Sequence, residues 1–421
     1  MAALKWWQKA VFYQIYPRSF ADGNGDGIGD FPGMIARLDY LKDLGVDALW
    51  LSPHFPSPQF DVGYDVADYT GVEPAYGTLD DFKRFLDGAH ERGMRVVLDL
   101  VLNHTSDQHS WFKESRRSKT DPRRDWYVWR PGKAEGVPPN NWQSAFGGSA
   151  WEFDPLTGEY YYHFFFKEQP DLNWRNPEVR KALWDAARFW LDMGVDGYRL
   201  DAIGTIYEHP DMPDHGVTED LSALRRTISP FSGATIEDRE AAIATYRSMF
   251  QYQEGRPEVH DLMKDLRKVM DEYEDRVLIG ETDEISFYGD GDDELHLNFN
   301  FPLINTNNLT PAWIRANQAE RLGALPEGAW PCNTLGNHDR SRFMSMFGTH
   351  DPAQDAGLAR VWLALMLIVL FGVHLEWLPT GGFVPFAENP AAWARSMVLP
   401  SVSLALLQIG LLARIPRSAM L

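Results

Sequence analysis

The sequence is poor in cysteine and in positive charge, and it begins without a long apolar run. Its one cysteine, Cys332, excludes a disulfide framework and a structural zinc site made of cysteines. Lys and Arg number 40 against 60 Asp and Glu, a net charge of −20, which argues against a nucleic-acid-binding protein. Residues 1–10 carry no apolar run of signal-peptide length, so we expect a cytoplasmic protein.

The C-terminal part differs in composition from the remainder. Residues 361–421 contain three basic and two acidic residues and many leucines, whereas the other 360 residues contain 37 basic and 58 acidic ones. Hydrophobic residues make up 44% of the whole chain, which excludes a disordered protein. The composition therefore predicts an acidic globular part followed by a nearly uncharged apolar tail.

Short apolar runs alternate with longer amphipathic segments along most of the chain, which favours a parallel sheet, open or closed into a barrel. The predicted strands are Val11–Tyr16, Ala48–Leu51, Arg95–Leu102, Asp196–Leu200, Val277–Gly280, His296–Phe301 and Cys332–Leu335. The predicted helices are Phe31–Leu44, Thr78–Arg92, Pro177–Met193 and Pro257–Tyr273. The aromatic-rich segment His104–Trp174 is too long for an ordinary loop, so we interpret it as an inserted subdomain.

Four polar motifs stand where predicted strands end, which is the face of a (β/α)8 barrel on which active sites are built. One such residue alone is more often a helix cap or a turn residue, but four motifs in this order favour a catalytic site. The motifs are Asp99–His104, Gly197–Asp201, Leu278–Glu281 and Asn337–Asp339.

The order and wording of these motifs resemble the α-amylase superfamily of glycoside hydrolases. Four further segments narrow the resemblance to its α-glucosidase and oligo-1,6-glucosidase branch: Tyr13–Phe20, Gly63–Asp65, Gln169–Trp174 and Leu335–Asp339. The resemblance covers about residues 6–366 and implies an α/β fold, a (β/α)8 TIM barrel with a subdomain B inserted after its third strand. The expected domains are the barrel over 1–103 and 175–366, the insert over 104–174, and a hydrophobic tail over 367–421.

The resemblance implies that Asp201 is the nucleophile, Glu281 the general acid/base and Asp339 a stabiliser of the transition state. Retaining cleavage needs two carboxyl groups about 5–5.5 Å apart, one ionised and one protonated. Arg199 lies two residues before Asp201 on one strand face, so its cation favours the ionised nucleophile, although an ordinary ion pair is the alternative. Glu281 has no cation adjacent in the sequence, so we expect it to keep its proton.

The resemblance also implies a pocket for one non-reducing glucose of a malto-oligosaccharide or a related α-glucoside. Tyr64 would stack on the sugar ring, and His104 and His338 would hydrogen-bond its hydroxyls. Ala202, directly after the nucleophile, favours α-1,4 over α-1,6 linkages in this branch. The substrate-binding positions are Asp61, Tyr64, His104, Phe146, Phe165, Gln169, Arg199 and His338, with the insert core as the alternative place for the two phenylalanines.

Residues 22–30 alternate oxygen-bearing side chains with glycine, a pattern that suits a hard cation. Gly33 stands where an EF-hand needs a bidentate glutamate, and no amphipathic helix precedes the loop, so we reject an EF-hand. The resemblance implies one structural Ca²⁺, or Mg²⁺ in the cell, and we expect no organic cofactor. The ligands would be Asp22, Asn24, Asp26, the Ile28 carbonyl and Asp30, with a turn that binds no metal as the alternative.

The family resemblance stops near Leu363–Leu367, before the eighth strand and the C-terminal β-domain with which the family would continue. Residues 367–421 instead resemble the permease subunit of dipeptide/oligopeptide ABC transporters. Two segments carry this resemblance: Trp377–Gly382 and Arg414–Leu421. Two apolar stretches, Val361–Leu378 and Met397–Ala413, approach the length of a spanning helix, with buried helices as the alternative. We therefore expect an incomplete barrel fused to a hydrophobic helical tail, the only part expected to contact a membrane.

The leading hypothesis is a retaining α-glucosidase that hydrolyses α-1,4-linked, or α-1,6-linked, gluco-oligosaccharides from the non-reducing end. A transglycosylase or isomerase that forms trehalose or isomaltulose would use the same carboxylates. A non-enzymatic subunit like the heavy chains of amino-acid transporters is disfavoured because Asp201, Glu281 and Asp339 are all present. An inactive truncated or fused product is a further alternative.

Overall fold

The structure is a computed structural model that describes residues 4–229, 232–306, 309–342, 345–346 and 390–391. The chain divides into two units, the first comprising Met1–Asn300 with Ala324–Cys332 and the second comprising Phe301–Gly323 with Asn333–Leu421. The tail expected over 367–421 lies outside the described residues except at positions 390 and 391. The domain boundaries expected from the sequence stay predictions.

Six parallel strands form the main sheet of the first unit. The strands of the described residues are, in chain order, β1 (Phe12–Ile15), β2 (Ala48–Leu51), β3 (Arg95–Val101), β4 (Trp129–Arg130), β5 (Trp151–Asp154), β6 (Glu159–Tyr162), β7 (Gly197–Asp201), β8 (Val277–Gly280) and β9 (Leu297–Asn298). The main sheet has the order β1-β2-β3-β7-β8-β9, so β3 and β7 are neighbours although the insert separates them in sequence. Every residue of β2, β7 and β8 is buried, as expected for a parallel sheet that is covered on both faces.

Helices alternate with the parallel strands and supply much of the surrounding core. In chain order they are α1 (Pro17–Phe20), α2 (Phe31–Ala36), α3 (Leu38–Asp43), α4 (Leu79–Glu91), α5 (Ser110–Ser115), α6 (Pro177–Met193), α7 (Leu221–Ile228), α8 (Ile236–Phe250), α9 (Glu258–Asp271), α10 (Phe301–Asn305) and α11 (Pro311–Ala324). Local signals fix two of them. Thr78 and Asp81 form a capping box before α4, and Gly194 ends α6 in the left-handed conformation at φ 110°.

The segment between β3 and α6 forms its own layer within the first unit. Strands β4, β6 and β5 pair antiparallel in a three-stranded sheet. Aromatic residues of this segment, among them Trp142 and Trp151, form a hydrophobic cluster with Met249 and Phe250 of α8. Many of the aromatic residues of this segment therefore pack in its hydrophobic core.

Several predicted elements differ from the structure. The helix predicted over Phe31–Leu44 is broken at Arg37, whose N–H bonds to the Met34 carbonyl three residues back and closes the first helix. The strand predicted over His296–Phe301 is reduced to β9, because α10 begins at Phe301. The predicted strand Cys332–Leu335 is wrong, since these residues belong to no strand and Cys332 forms an isolated parallel bridge with Phe299.

Candidate active site

The side chain of Arg199 lies at the centre of three carboxylates. Its Nη1 is 2.8 Å from Oδ1 of Asp99 and 2.7 Å from Oδ1 of Asp201, and its Nη2 is 2.6 Å from Oε2 of Glu281. Strand register brings the group together, because Asp99 on β3 pairs with Arg199 on β7. Arg199 is almost fully buried, and its guanidinium lies over the ring of Trp50, 4.9 Å from the centroid. We call Arg199 with its three carboxylates the arginine cluster.

The contact between Arg199 and Glu281 corrects an expectation from the sequence. Glu281 has no cation beside it along the chain, but β7 and β8 are paired and the N–H of Glu281 bonds to the carbonyl of Leu200 at 3.0 Å. That pairing places Glu281 next to Arg199 across the sheet. The separation along the sequence gives no information on such a neighbour, because register between distant strands is a tertiary property.

Ala202 links the nucleophile candidate to Glu281. Its backbone is left-handed, with φ 40° and ψ 44°, a conformation that costs a non-glycine residue about 1–2 kcal/mol. In this position its N–H donates to Oε2 of Glu281 at 3.1 Å. The hydroxyl of Thr205 lies 2.8 Å from the Ala202 carbonyl and 3.0 Å from Oδ1 of Asn103, and it can donate its proton to either oxygen. The strained turn therefore fixes Glu281 relative to Asp201.

Asp99 is a site residue that belongs to the motif Asp99–His104 but whose role the motif alone does not indicate. Its Oδ2 accepts hydrogen bonds from the Tyr64 hydroxyl at 2.9 Å and from Nε1 of Trp50 at 3.1 Å. Burial raises the pKa of Asp99 to about 6, although Arg199 and Tyr64 act in the opposite direction. The role of Asp99 follows from its position opposite Arg199. The sequence does not show that position, because it depends on the register between β3 and β7.

Four predicted substrate-binding residues lie in one connected group beside the arginine cluster. Nε2 of Gln169 donates to Oδ2 of Asp61 at 2.8 Å and lies 2.9 Å from Nε2 of His104. His104 Nε2 lies 3.2 Å from the carbonyl of Tyr64, whose hydroxyl contacts Asp99. Burial lowers the pKa of His104 to about 3, so its imidazole is neutral at physiological pH. Gln169 and His104 are buried, so these polar atoms are held in place before any ligand arrives.

The two predicted phenylalanines lie at different depths. The Phe165 ring is 5.3 Å from the ring of His104 and meets it edge-on. Phe146 is 50% exposed and stacks on Phe166, with 4.2 Å between centroids. Neither ring belongs to the fully buried core of the insert.

His338 and Asp339 lie in the second unit. Nε2 of His338 is 3.3 Å from Oδ1 of Asp339, and the backbone N–H of Asp339 donates to Oδ1 of Asn337 at 3.2 Å. Nη1 of Arg342 donates to the Asn337 carbonyl at 2.7 Å. These contacts describe the local turn, and the roles expected for His338 and Asp339 stay predictions.

The loop 22–30 is organised by hydrogen bonds from its own backbone. Asp22 accepts from the N–H groups of Gly25 and Gly27, which hold its pKa below the usual range. Asp30 accepts from Gly23 and from Gly33, where it also caps α2. The oxygen donors suit a hard cation. Nowhere in the described parts of the chain, however, do three or more His, Cys, Asp or Glu side chains converge on one metal position.

Comparison with known proteins decides the family. The model of the alpha-amylase catalytic domain matches residues 14–374. The chain belongs to the alpha-amylase family. An oligo-1,6-glucosidase of Parageobacillus thermoglucosidasius is 44% identical over 379 residues, and an alpha-glucosidase of Candida albicans is 40% identical over 374 residues. These alignments cover 86% and 84% of this chain.

Solved structures of similar proteins agree with the fold. The alpha-glucosyl transfer enzyme XgtA superposes with a TM-score of 0.76 at 39% identity, over 86% of this chain and 67% of that one. The trehalulose synthase MutB of Pseudomonas mesoacidophila MX-45 gives 0.72 at 40% identity, over 86% and 64%. The predicted (β/α) barrel is thereby confirmed, with six parallel strands in the part of the chain that the structure describes.

The chain spans about 62% of the length of both curated relatives. The comparisons do not support the permease-like part of the resemblance, which falls on residues that are almost all outside the described ranges. Within the described ranges, no helix is both long enough and apolar enough to cross a membrane.

Proposed function

We propose that this alpha-amylase family chain is a retaining α-glucosidase that releases glucose from the non-reducing end of short α-gluco-oligosaccharides. The observation that carries the proposal is the contact of Asp201 and Glu281 with the two terminal nitrogens of one buried guanidinium. Those nitrogens share one carbon, so a single guanidinium brings together the two carboxyl groups that a double displacement uses. The names of the curated relatives support the same reaction class.

In the first step Asp201 attacks the anomeric carbon and forms a glycosyl ester, while Glu281 gives its proton to the departing glycosidic oxygen. In the second step the Glu281 carboxylate takes a proton from water, and the resulting hydroxide oxygen displaces Asp201. Two inversions leave the α configuration unchanged. Arg199 stabilises the ionised Asp201 before attack and after release.

The arginine cluster also bears on the proton that Glu281 must donate. Three carboxylates surround a single guanidinium, and like charges in a buried site oppose full ionisation. Burial raises the pKa of Asp99 in this cluster to about 6, so Asp99 is the member that readily holds a proton, while the mechanism requires a proton on Glu281 when substrate is bound. The N–H of Ala202 contacts Oε2 of Glu281 and so orients the carboxyl group.

The group of Asp61, His104, Gln169 and Tyr64 is proposed to bind the glucose at the cleavage point. Buried, mutually hydrogen-bonded polar atoms exchange their contacts for sugar hydroxyls at little reorganisation cost. Phe146 and Phe165 are proposed to complete the pocket. The roles that the family resemblance implies for His338, which is to bind sugar hydroxyls, and for Asp339, which is to stabilise the transition state, are proposed as well. Ala202 favours α-1,4 linkages, while one of the two curated relatives is named for α-1,6 linkages.

A second candidate is glucosyl transfer or isomerisation with the same carboxylates. The solved structures that match include an alpha-glucosyl transfer enzyme and a trehalulose synthase, which supports this alternative. The two candidates differ only in the acceptor of the glycosyl ester, which is water in one and a sugar hydroxyl in the other. Chromatography of products from maltose and from sucrose separates them, because hydrolysis yields only free monosaccharides.

Three further proposals extend beyond the site. The loop 22–30 binds one structural Ca²⁺, supported by its oxygen donors, and the protein acts in the cytoplasm without an organic cofactor.

Residues 367–421 derive from a permease-like segment and provide the sole membrane contact. Flotation with phospholipid vesicles tests the last point, since a chain ending at residue 366 should stay at the bottom of the gradient while the full chain rises. A full chain that also stays at the bottom contradicts it.

The experiment that tests the proposed activity is turnover of p-nitrophenyl α-glucoside by the purified full chain. We expect release of nitrophenol by the native chain and loss of turnover in Asp201→Asn. Asp43→Asn is a matched control. Asp43 is an exposed aspartate on α3, so its replacement should leave the fold intact. Inactivity of a folded native chain contradicts the proposal and supports an inactive product.

A further inference from the structure

A cavity of about 400 Å³ lies at the end of the main sheet that is opposite to the arginine cluster. Three residues that line it precede strands of that sheet, since Trp7 precedes β1, Arg276 precedes β8 and His296 precedes β9. The strands are parallel, so their N-terminal ends share one edge, whereas Asp201 ends β7 and Glu281 follows β8 at the C-terminal edge. The cavity is therefore separate from the candidate active site.

The charged groups around this cavity differ in their exposure to solvent. The side chains of Arg267 and Arg276 are 14% and 18% exposed, so both guanidinium groups lie mostly inside the protein. The carboxylates of the lining are more exposed, with 59% for the side chain of Asp271 and 41% for that of Asp275. The inner part of the cavity is therefore cationic, and the acidic groups lie towards the solvent.

The two arginines use only part of their hydrogen-bonding capacity. Nε of Arg267 donates to Asp271 at 2.9 Å and Nη1 donates to the Glu294 carbonyl at 3.3 Å, while Nη2 has no partner among the described residues. Nη1 of Arg276 donates to the Glu274 carbonyl at 3.0 Å, and its Nε is buried without a hydrogen bond in the described part of the chain. A guanidinium has five N–H groups and pairs best with the oxygens of a carboxylate or a phosphate.

His296 adds a neutral donor to the lining of the cavity. Its Nδ1 accepts a hydrogen bond from the backbone N–H of Leu278 at 3.0 Å, so the hydrogen of the neutral ring is on Nε2. Burial lowers the pKa of this imidazole to about 3, and the cations of Arg267 and Lys5 act in the same direction. Both cations are therefore near enough to His296 to act on the same bound group.

Two indole rings supply the apolar part of the lining. Trp7 and Trp330 both line the cavity, and the ammonium of Lys5 lies 5.8 Å from the centroid of the Trp7 ring. The Trp7 ring also meets the ring of His296 edge-on, with 4.9 Å between centroids. The cavity has the size of a site for a small organic molecule, about 300–1,000 Å³, so it has room for more than a bare ion.

We propose that this cavity binds a small organic phosphate, meaning a phosphate monoester on a ring-shaped body. The phosphate contacts Arg267, Arg276 and Nε2 of His296, and the ring lies against Trp7 and Trp330. A phosphate fits better than a carboxylate, because it carries more negative charge and a third acceptor oxygen for the donors that converge here. Sugar phosphates and nucleoside monophosphates share this chemistry. The proposal is independent of the proposed hydrolysis, since none of these residues belongs to the arginine cluster.

The test is calorimetric titration of the full chain with glucose 6-phosphate, with adenosine monophosphate and with inorganic phosphate. We expect one of the two organic phosphates to bind about tenfold more tightly than inorganic phosphate, because its ring adds contacts with two indoles. The organic phosphate that binds more tightly identifies the source of the ligand. Absence of binding by both organic phosphates, or equally tight binding of inorganic phosphate, overturns the proposal.

Variants of the lining show whether the organic phosphate binds in this cavity. Arg267→Gln should weaken its binding about tenfold, the loss of one charge-assisted contact. Arg188→Gln is the matched control, because Arg188 also pairs with a carboxylate but lies on α6 outside the cavity. Native affinity in a folded Arg267→Gln chain, or an equal loss in Arg188→Gln, contradicts the site.

Lys5→Gln keeps the proposal testable if Arg267→Gln does not fold, a point that thermal unfolding decides. The Lys5 side chain is 56% exposed, so its replacement should leave the fold intact. We expect it to weaken binding of the organic phosphate about threefold, because an exposed charge contributes less than a buried one. Its matched control is Lys181→Gln, an exposed lysine that pairs with Asp185 on α6. Unchanged affinity in Lys5→Gln would then contradict the site.

Discussion

The backbone N–H of Ala202 donates a hydrogen bond to Oε2 of Glu281 at 3.1 Å, across 79 positions of sequence. Because Ala202 directly follows Asp201, one turn fixes the two carboxyl groups that the reaction uses. Arg199 contacts both groups from the other side. The geometry of the pair therefore depends on two neighbours, Ala202 and Arg199.

Glu281→Gln should slow the cleavage of substrates whose leaving group needs a proton and spare those whose leaving group does not. General acid catalysis contributes about 10²- to 10⁴-fold, so hydrolysis of maltose should fall by that range. Formation of the glycosyl ester from α-glucosyl fluoride needs no proton donor, so its first turnover should persist and be seen as a burst of fluoride. An equal loss on both substrates would contradict the acid role of Glu281.

Thr205→Val should weaken the support of the Ala202 turn. The variant keeps the shape of the side chain but loses the hydroxyl that contacts the Ala202 carbonyl and Asn103. One lost hydrogen bond corresponds to about 0.5–1.5 kcal/mol, so we expect kcat for maltose to fall about three- to tenfold. Thr205→Ser should retain nearly native kcat. Steady-state kinetics checks both, and a Ser variant as slow as the Val variant would refute the role of the hydroxyl.

Ala202→Val should destabilise the chain by about 1–2 kcal/mol more than Ala202→Gly. The left-handed backbone at φ 40° is strained for a β-branched side chain and relaxed for glycine. Thermal unfolding of both variants measures the difference. Initial rates of the same two variants on maltose, which is α-1,4-linked, and on isomaltose, which is α-1,6-linked, test whether residue 202 affects the linkage preference. Equal melting temperatures for the two variants would indicate that the turn relaxes without strain.

Asp99→Asn should change the pH dependence of stability. The usual pKa of 3.8 is raised to about 6 in the folded protein, so between these values the native state binds more protons than the unfolded state. The contribution of this group is thus fully present below pH 3.8 and is lost as the pH rises through 6. Asparagine does not titrate, so the advantage of the native chain over the variant should shrink from pH 4 to pH 6.5. Melting temperatures measured across that range check it, and a constant difference would contradict the shift.

Calcium should stabilise the chain through the loop 22–30. A ligand that binds the folded state at a hundred times its Kd adds about 2.7 kcal/mol, which corresponds to a melting temperature several degrees higher. Asp22→Asn should abolish that increase and Asp43→Asn should not. Differential scanning calorimetry in calcium and in chelator gives the comparison. An identical increase in both variants would show that calcium acts elsewhere.

Elements with strong local signals were predictable from the sequence. Helix α6 has the predicted bounds Pro177–Met193, because Pro177 stands in the first turn and Gly194 adopts the left-handed end position. Strands β2 and β8 also have their predicted bounds, since each is a short apolar run between breaks. Helix α8 was not predicted, because its apolar residues are not confined to one face and its buried residues are Ala242, Met249 and Phe250.

The candidate site was predictable in its residues but not in its contacts. The motifs place Asp201 and Glu281 at strand ends, yet the contact of Arg199 with Glu281 and the position of Asp99 depend on the order of β3, β7 and β8. That order is set by packing across nearly 200 residues.

Trapping of the glycosyl ester tests the central claim most directly. A 5-fluoro-α-glucosyl fluoride should react with the full chain and leave a stable adduct, because the fluorine slows the second step more than the first. Peptide mass spectrometry should then find one added fluoroglucosyl group, on the peptide that contains Asp201, and none in Asp201→Asn. An adduct on any other carboxylate, or substrate consumption without an adduct in a chain that hydrolyses maltose, would contradict the account.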